Sequence, residues 1–339
     1  MYFTPMNILI RLPNWLGDMV MSTAFVQAVK EEFPGAAIDL VAKKGIDFLL
    51  DHFPPHRQRY VFSKEEYAGT GGARKFGKMI RRQKKYDLFF CLPDSFSSAV
   101  MGHASGAKKR IGYKKELRSL LLSNAYPKKK GLHRVEEYID LLAQFLKKEI
   151  MVPPVQLTAR PMTKKRAIII NINSEASSRR LPAAKAVSII TAVQKTTGEE
   201  IILMGSTKEK EFVDEVFAAL PDKTNISNNA GLTSLAQLVD LLGACPVLLT
   251  TDSGPAHVAN ALGTFTIVLF GAGNENSTAP FNTINRKIIR LGQLPCEPCI
   301  NNTCKLYAEP ECLLRLDEDR IAQEVSNAIK KYNLGRNEF

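Results

Sequence analysis

The 339-residue sequence predicts an α/β protein of two doubly wound parallel-sheet domains facing a cleft. Three observations predict it. Short apolar runs alternate with segments of helical periodicity along most of the chain. The alternation pauses at a stretch rich in proline and lysine and then starts again. The length suits two cores of about 150 residues each rather than one. The expected domains are residues 1–160 and 161–316, with a C-terminal helix, 317–339, packing back on the first.

In the first half, Asn7 to Leu12 (NILIRL) is a strand, and Pro13-Asn14-Trp15-Leu16-Gly17 is the turn after it. Asp18 to Glu32 carries apolar residues at helical spacing and stops at Pro34-Gly35. Ala37 to Ala42, Arg59 to Phe62 and Tyr86 to Leu92 read as further strands. Ser95 to His103 and Arg134 to Lys148 read as helices. Pro153-Pro154, Pro161 and Lys164-Lys165-Arg166 mark the linker.

The second half repeats the plan. Strands are expected at Ala167 to Ile172 and Glu200 to Met204, and helices at Pro182 to Lys195, Lys208 to Leu220 and Thr233 to Leu242. Val247 to Thr250 is a buried strand that ends in Thr251-Asp252-Ser253-Gly254-Pro255. Ala256 to Leu262 follows as a helix, and Pro255 suits its first turn, where a missing N–H costs nothing. Thr264 to Phe270 is the next strand, closed by Gly271-Ala272-Gly273. A strand, a polar turn and a helix N-terminus at the carboxyl edge of a parallel sheet make a crevice that favours an anion, most often a phosphate. Asp317 to Lys331 closes the chain as an amphipathic helix.

Composition narrows the function. The apolar fraction is 45% and the mean hydropathy −0.11, as for a water-soluble globular protein. No apolar run reaches the roughly 18 residues of a transmembrane helix. The start, MYFTPMNILIRLPNW, lacks the charged and apolar regions of a signal peptide, so a cytoplasmic protein is expected. Residues 1–165 hold 29 Lys+Arg against 15 Asp+Glu, while the remainder is nearly balanced at 17 against 19. A basic half suits an anionic partner: nucleic acid, acidic membrane surface or anionic glycolipid. The basic runs have no interleaved aromatics and no recognised nucleic-acid motif, which argues against nucleic acid. No G-x-G-x-x-G follows the first strand, which argues against a dinucleotide oxidoreductase. Cys296, Cys299, Cys304 and Cys312 match a structural zinc cluster by count, and Cys91 and Cys245 read as buried thiols.

Two stretches carry a family resemblance. Asp252-Ser253-Gly254-Pro255-Ala256-His257, with Ala261-Leu262-Gly263 and Leu269-Phe270-Gly271, resembles the nucleotide-sugar motif of glycosyltransferase family 9, the lipopolysaccharide heptosyltransferases, the heptosyltransferase II type in particular. Arg11 to Met21 (RLPNWLGDMVM) resembles that family's N-terminal motif. The resemblance implies a GT-B fold of two Rossmann-like domains, the first for the acceptor and the second for the donor. It implies an inverting transfer of heptose from ADP-heptose to the heptosyl-Kdo inner core, or else another nucleotide sugar or acceptor within the family. It also implies contact with an anionic lipopolysaccharide glycolipid at the inner face of the inner membrane.

Residue by residue, the resemblance makes Asp18 the general base and places Asn14, Trp15 and Gly17 at the acceptor. A sugar hydroxyl is a poor nucleophile at neutral pH, so a carboxylate within hydrogen-bond reach is the chemical need. Ser253 and Gly254 are expected to offer backbone N–H groups to the donor diphosphate, Asp252 to orient that loop or a sugar hydroxyl, and His257 to stand beside the diphosphate. Glu209 matches the carboxylate that bonds the nucleotide ribose. Arg179 stands where the family has a phosphate-binding lysine, and Leu181 where it has tryptophan. Arginine keeps the charge and can grip phosphate with two N–H groups. The resemblance implies transfer without a metal ion, and similar cysteine-bearing loops recur in the family, so no cofactor and no metal ligand are assigned.

Overall fold

Four of the five residues of Asn7–Arg11 (β1) are buried, as expected of a parallel strand covered by helices on both faces. The computed structural model describes residues 6–160 and 163–334. From β1 the chain runs through α1 (Leu16–Met21), α2 (Thr23–Glu32), β2 (Ala37–Lys43), a 3-10 turn at Asp47–His52, β3 (Gln58–Phe62), α3 (Gly69–Gln83), β4 (Leu88–Cys91) and α4 (Phe96–Ala104). It continues through β5 (Lys109–Tyr113), a 3-10 segment at Glu116–Leu121, β6 (Asn124–Tyr126) and α5 (Arg134–Leu146). The sheet is parallel throughout, in the order β3-β2-β1-β4-β5-β6.

The second unit holds β7 (Ala167–Asn171), a 3-10 turn at Ser177–Arg179, α6 (Ala183–Thr197), β8 (Glu200–Leu203), α7 (Lys210–Ala218), β9 (Ile226–Asn228), α8 (Leu235–Ala244) and β10 (Val247–Thr251). It ends with α9 (Gly254–Ala261), β11 (Phe265–Phe270), α10 (Glu275–Thr278), β12 (Arg286–Arg290), α11 (Glu311–Leu314) and α12 (Glu318–Leu334). Its parallel sheet runs β12-β11-β10-β7-β8-β9. Counted from each unit's first strand, the two sheets have the same order. In each, the order reverses between the first and fourth strands, β1/β4 and β7/β10. Loops leaving such a pair diverge to opposite faces and open a crevice at the carboxyl edge.

Each unit has its own core. In the first, Phe90 of β4 meets Phe25 of α2 and Phe145 of α5 edge to face, at 5.3 and 5.7 Å between ring centroids. On the other face Phe62, Tyr67 and Phe76 form a second aromatic cluster over α3. The core of the second unit is aliphatic, built on Ile168, Ile170, Leu249 and Ile267 of the strands and Ile189, Ile190 and Val193 of α6.

Three expectations change. The chain divides after Thr158, two residues before the expected boundary. Pro161 and residues 335–339 lie outside the described residues. The C-terminal helix does not pack on the first domain: Ile321, Ala322, Val325 and Ala328 of α12 join the second core beside α6. Lys185 clips Glu318 at 2.6 Å, and Lys287 meets Glu324 at 2.8 Å. The apolar stripe that the sequence shows is thus spent on the nearer sheet. Finally, the single helix expected from Asp18 to Glu32 is two, broken at Ser22. There the hydroxyls of Ser22 and Thr23 donate to the carbonyls of Met19 and Val20 at 2.6 and 2.8 Å, competing with the helical ladder.

Candidate active site

At the carboxyl edge of the first sheet, Arg11 ends β1 with its guanidinium fully inside the protein. Nη1 donates to the carbonyls of Leu12 (2.7 Å) and Val41 (3.1 Å), and Nη2 donates to Asn14 Oδ1. Burial lowers its pKa to about 10, so it stays charged at neutral pH. The turn carrying Asn14 and Trp15 is thereby fixed to two strands from beneath. Trp15 is 61% exposed, with Lys43 Nζ at 6.0 Å over its ring. Gly17 and Asp18 follow in the first turn of α1.

Asp18 is no helix cap. Trp15 holds that position, with no side-chain cap. The Asp18 carboxylate is half-buried, and its Oδ1 stands 3.4 Å from Arg134 Nε. Burial raises its pKa, the Arg134 cation pulls it back down, Glu137 raises it and Lys128 lowers it. Arg134 opens α5, whose start is fixed by a capping box between His133 and Glu136. Around this pair lies a chain of alternating charges. Glu137 takes Arg134 and Lys128 (3.1 Å), Lys128 reaches Asp94 at 3.3 Å, and Asp94 takes the buried Arg118 at 3.2 Å. No local pattern in the sequence marks Arg134, Lys128, Asp94 or Glu137 as site residues. Lys128 reads only as part of the basic run Lys128-Lys129-Lys130, and Arg134 only as a helix start.

In the second unit, the loops after β7 and β10 meet at the switch point. Asn171, the last residue of β7, donates through Nδ2 to Thr250 Oγ1 and Ser253 Oγ, both at 3.0 Å. The Thr251 hydroxyl bonds the Asn173 carbonyl, and the Ser174 hydroxyl the Asp252 carbonyl. Ser253 is the N-cap of α9, but its hydroxyl is turned into this network, donating to the Thr251 carbonyl at 3.1 Å, and gives the helix no side-chain cap. Pro255 lies in the first turn as expected. An uncapped helix start with a glycine and a proline in its first turn presents partial positive charge to whatever sits there.

Asp252 faces that start. It is 6% exposed, and its Oδ2 lies 3.3 Å from Arg179 Nη1. Burial raises its pKa, and Arg179 and Arg290 pull the other way. Among the described residues, neither Asp252 Oδ2, Arg179 Nε nor Asn173 Oδ1 has a hydrogen-bond partner, so buried polar capacity is left over where a ligand would use it. A Cβ at Gly273 would stand 2.1 Å from Asp252 Oδ2, so only glycine lets the loop after β11 close over the carboxylate. Arg290, from β12, holds that loop: it donates to the carbonyls of Gly271 (2.8 Å) and Gly273 and pairs with Glu275. Nothing in the sequence marks Arg290.

The remaining candidates separate. His257 lies buried in α9. Glu209 precedes α7, where its Oε2 accepts from Ser206 N at 2.7 Å and ties the turn after β8. Leu181 is a core residue, 3% exposed, so its departure from the family's tryptophan falls on packing rather than on the charged site. The four cysteines line one apolar pocket with Ala272 and Ser178. Among the described residues no three His, Cys, Asp or Glu side chains are grouped to hold a metal. Their loop braces the turns after β7 and β11: Ser178 donates to the Asn301 and Asn302 carbonyls, and Ile300 N to the Ala272 carbonyl at 2.8 Å.

Residues 73–308 match the model of glycosyltransferase family 9 (heptosyltransferase). The chain belongs to that family. It is 30% identical to lipopolysaccharide heptosyltransferase 2 of Escherichia coli K12, over 84% of this chain and 88% of that one. It is 31% identical to lipooligosaccharide heptosyltransferase 2 of Haemophilus influenzae, over 84% and 89%. The solved structure of E. coli ADP-heptose LPS heptosyltransferase II superposes with a TM-score of 0.81 at 27% identity, covering 97% of this chain and all of that one. This family 9 glycosyltransferase therefore has the GT-B type of α/β fold expected from its motifs. The matched segment includes Arg179, Glu209 and the Asp252–His257 stretch.

Proposed function

We propose that this glycosyltransferase moves a heptose from ADP-heptose to the heptosyl-Kdo inner core of lipopolysaccharide, with inversion, and that Asp18 is its general base. The observation that carries the reading is the Arg179–Asp252 pair beside the uncapped start of α9. A cation, an uncapped helix start and unused buried polar atoms converge there, as a leaving diphosphate requires. The names of the relatives, lipopolysaccharide heptosyltransferase 2 and ADP-heptose LPS heptosyltransferase II, supply the donor and acceptor class.

In the proposed step the acceptor hydroxyl oxygen attacks the anomeric carbon from the face opposite the diphosphate. The bond to the diphosphate oxygen breaks with its electron pair on ADP, and Asp18 takes the hydroxyl proton. Burial moves the Asp18 pKa toward neutrality, which strengthens it as a base. Arg179 and the α9 N-terminus meet the charge growing on ADP, so no metal ion is required for departure. Glu209 bonds the ribose, His257 lies by the diphosphate, and Asn14, Trp15 and Gly17 bind the acceptor.

The test pairs binding with turnover. ADP should raise the melting temperature more than UDP, GDP or NAD, the effect falling in Arg179→Ala and Glu209→Ala and persisting in Asp18→Asn. Turnover of ADP-heptose on a Kdo-linked heptose should survive a chelator and give the inverted anomer by NMR. A preference for NAD, or none among the nucleotides, refutes the donor assignment. Turnover undiminished in Asp18→Asn refutes the base.

A further inference from the structure

The segment between β5 and β6 carries a feature that sugar transfer does not use. Glu116–Leu121 is a 3-10 helix, in which side chains three apart line up. One row, Arg118 and Leu121, faces inward. Arg118 is 1% exposed and bonds the carbonyls of Tyr113 (2.9 Å) and Pro93 (3.0 Å), while Leu121 packs against the core. A second row is Leu117 and Leu120, 70% and 82% exposed, and the third is Glu116 and Ser119. Single exposed leucines are ordinary. Two in register on a turn pinned from below by a buried arginine are not.

Charge flanks the pair. Lys114 and Lys115 leave the carboxyl end of β5, and Lys128, Lys129 and Lys130 follow the end of β6, the neighbouring strand. Lys114 N donates to the Tyr126 carbonyl at 2.7 Å, which joins the two basic runs. Lys128 and Lys129 are engaged with Asp94, Glu137 and Asp140. Lys114, Lys115 and Lys130 are exposed and form no ion pair among the described residues. Glu116 is the one acid in the segment.

The geometry points to Leu117 and Leu120 as an anchor that enters an anionic phospholipid surface while Lys114, Lys115 and Lys130 contact its headgroups. An exposed apolar pair flanked by lysines at one sheet edge is the arrangement that lipid interfaces reward, by apolar burial and by attraction to acidic headgroups together. The same charge disfavours a second copy of this chain, because two such patches repel. Nucleic acid would leave the leucines uncovered. The purpose rests on the proposed function, since a lipid-linked acceptor must be met at its membrane; the geometry does not.

The test is co-sedimentation of the full-length protein with vesicles lacking donor and acceptor. Vesicles of equal parts phosphatidylethanolamine and phosphatidylglycerol should pull the protein down, and phosphatidylcholine vesicles should not. Leu117→Ser/Leu120→Ser should weaken anionic-vesicle binding by roughly tenfold or more. Lys114→Gln/Lys115→Gln should weaken it by about 25-fold and flatten its salt dependence. Both variants should keep the native melting temperature, the ADP-induced stabilisation and turnover of a water-soluble acceptor, because all four side chains lie in solvent. Wild-type binding retained in the leucine variant overturns the proposal. So does equal binding to neutral vesicles, or a wild-type dimer that the leucine variant abolishes. Loss of ADP binding alone would instead count against the transferase reading and leave the anchor standing.

Discussion

Arg134 Nε stands 3.4 Å from Asp18 Oδ1, so a carboxylate whose burial favours the neutral form is drawn back toward the ionised form by a cation from the first turn of α5. Arg134 also pairs with Glu137, the anion that, with burial, pushes the Asp18 pKa up. Removing Arg134 therefore acts twice in one direction, by losing a cation and by leaving Glu137 neutralised by Lys128 alone among the described residues. Lys128 opposes both effects, while Tyr138 and Asp94 complete the surroundings. The proposed base works deprotonated. In Arg134→Gln the acid limb of the kcat–pH profile should move to higher pH, and Arg134→Lys should largely restore it. Asp18→Asn should cost about 10²- to 10⁴-fold in kcat with ADP affinity kept. An unmoved acid limb in Arg134→Gln would refute the coupling.

Asp252 gives a pH prediction of its own. Its folded pKa is raised by burial, so between the unfolded and folded values the folded state holds more protons than the unfolded one. Its contribution to stability is then full below the unfolded pKa and is lost as pH rises through the folded pKa. Asp252→Asn should melt at or above the wild type at neutral pH, the gap closing on acidification, while ADP-sugar binding weakens. Arg179→Ala does the reverse. It leaves the carboxylate without its 3.3 Å cation, lowering neutral-pH stability, and should cost ADP about 1.5–3 kcal/mol, roughly 10- to 100-fold. Calorimetry across pH on the three proteins reads both effects. A wild-type melting profile in Asp252→Asn at every pH would show the carboxylate to be better solvated than its burial implies.

The loop after β11 is the next dependence. Gly273→Ala puts a methyl 2.1 Å from Asp252 Oδ2, and since the neighbour is itself buried, the backbone must move. A loss of about 1–3 kcal/mol in stability is expected, with a larger fall in donor affinity than in acceptor affinity. Arg290→Met removes the fork that holds the Gly271 and Gly273 carbonyls and leaves Glu297, 3% exposed at its side chain, with the Gly292 N–H but without its cation. About 2–3 kcal/mol should be lost, again with KM for the donor rising. A rise confined to the acceptor KM would place the loop elsewhere in function.

The legible and illegible parts of this chain divide along physical lines. β1, β7, β10 and β11 are continuous apolar runs, and such runs can be seen without a structure. The strands absent from the sequence reading are those whose composition hides them. β5 reads KRIGY and β12 reads RKIIR, with charges at the ends of short runs; β6 and β9 have three residues each. α3 carries four glycines in its fifteen residues, which lowers any helical preference, yet Ala73, Phe76 and Ile80 bury one stripe and tertiary packing decides. At the site, the motif loops could be read because turns at strand ends need particular residues. Arg134 and Arg290 could not, because each reaches its partner from an element over a dozen residues away, and no local pattern encodes that meeting.

The C-terminal helix shows the same limit and yields a stability test. Its amphipathic stripe was plain in the sequence, but a stripe does not name its partner. Ile321 is fully buried, against a core that includes Ile189 and Val193 of α6. Ile321→Ala should cost about 2–5 kcal/mol, because a rigid helix over a sheet cannot collapse fully into the space. The loss should fall on the second unit: amide exchange should quicken in α6, β7 and β10, while β1 and β4 keep their protection. On the proposed donor site, ADP should recover part of the lost melting temperature, since it would bind the folded second unit and not the unfolded chain. Faster exchange in β1 and β4 with α6 unchanged would mean that the helix stabilises the first unit after all.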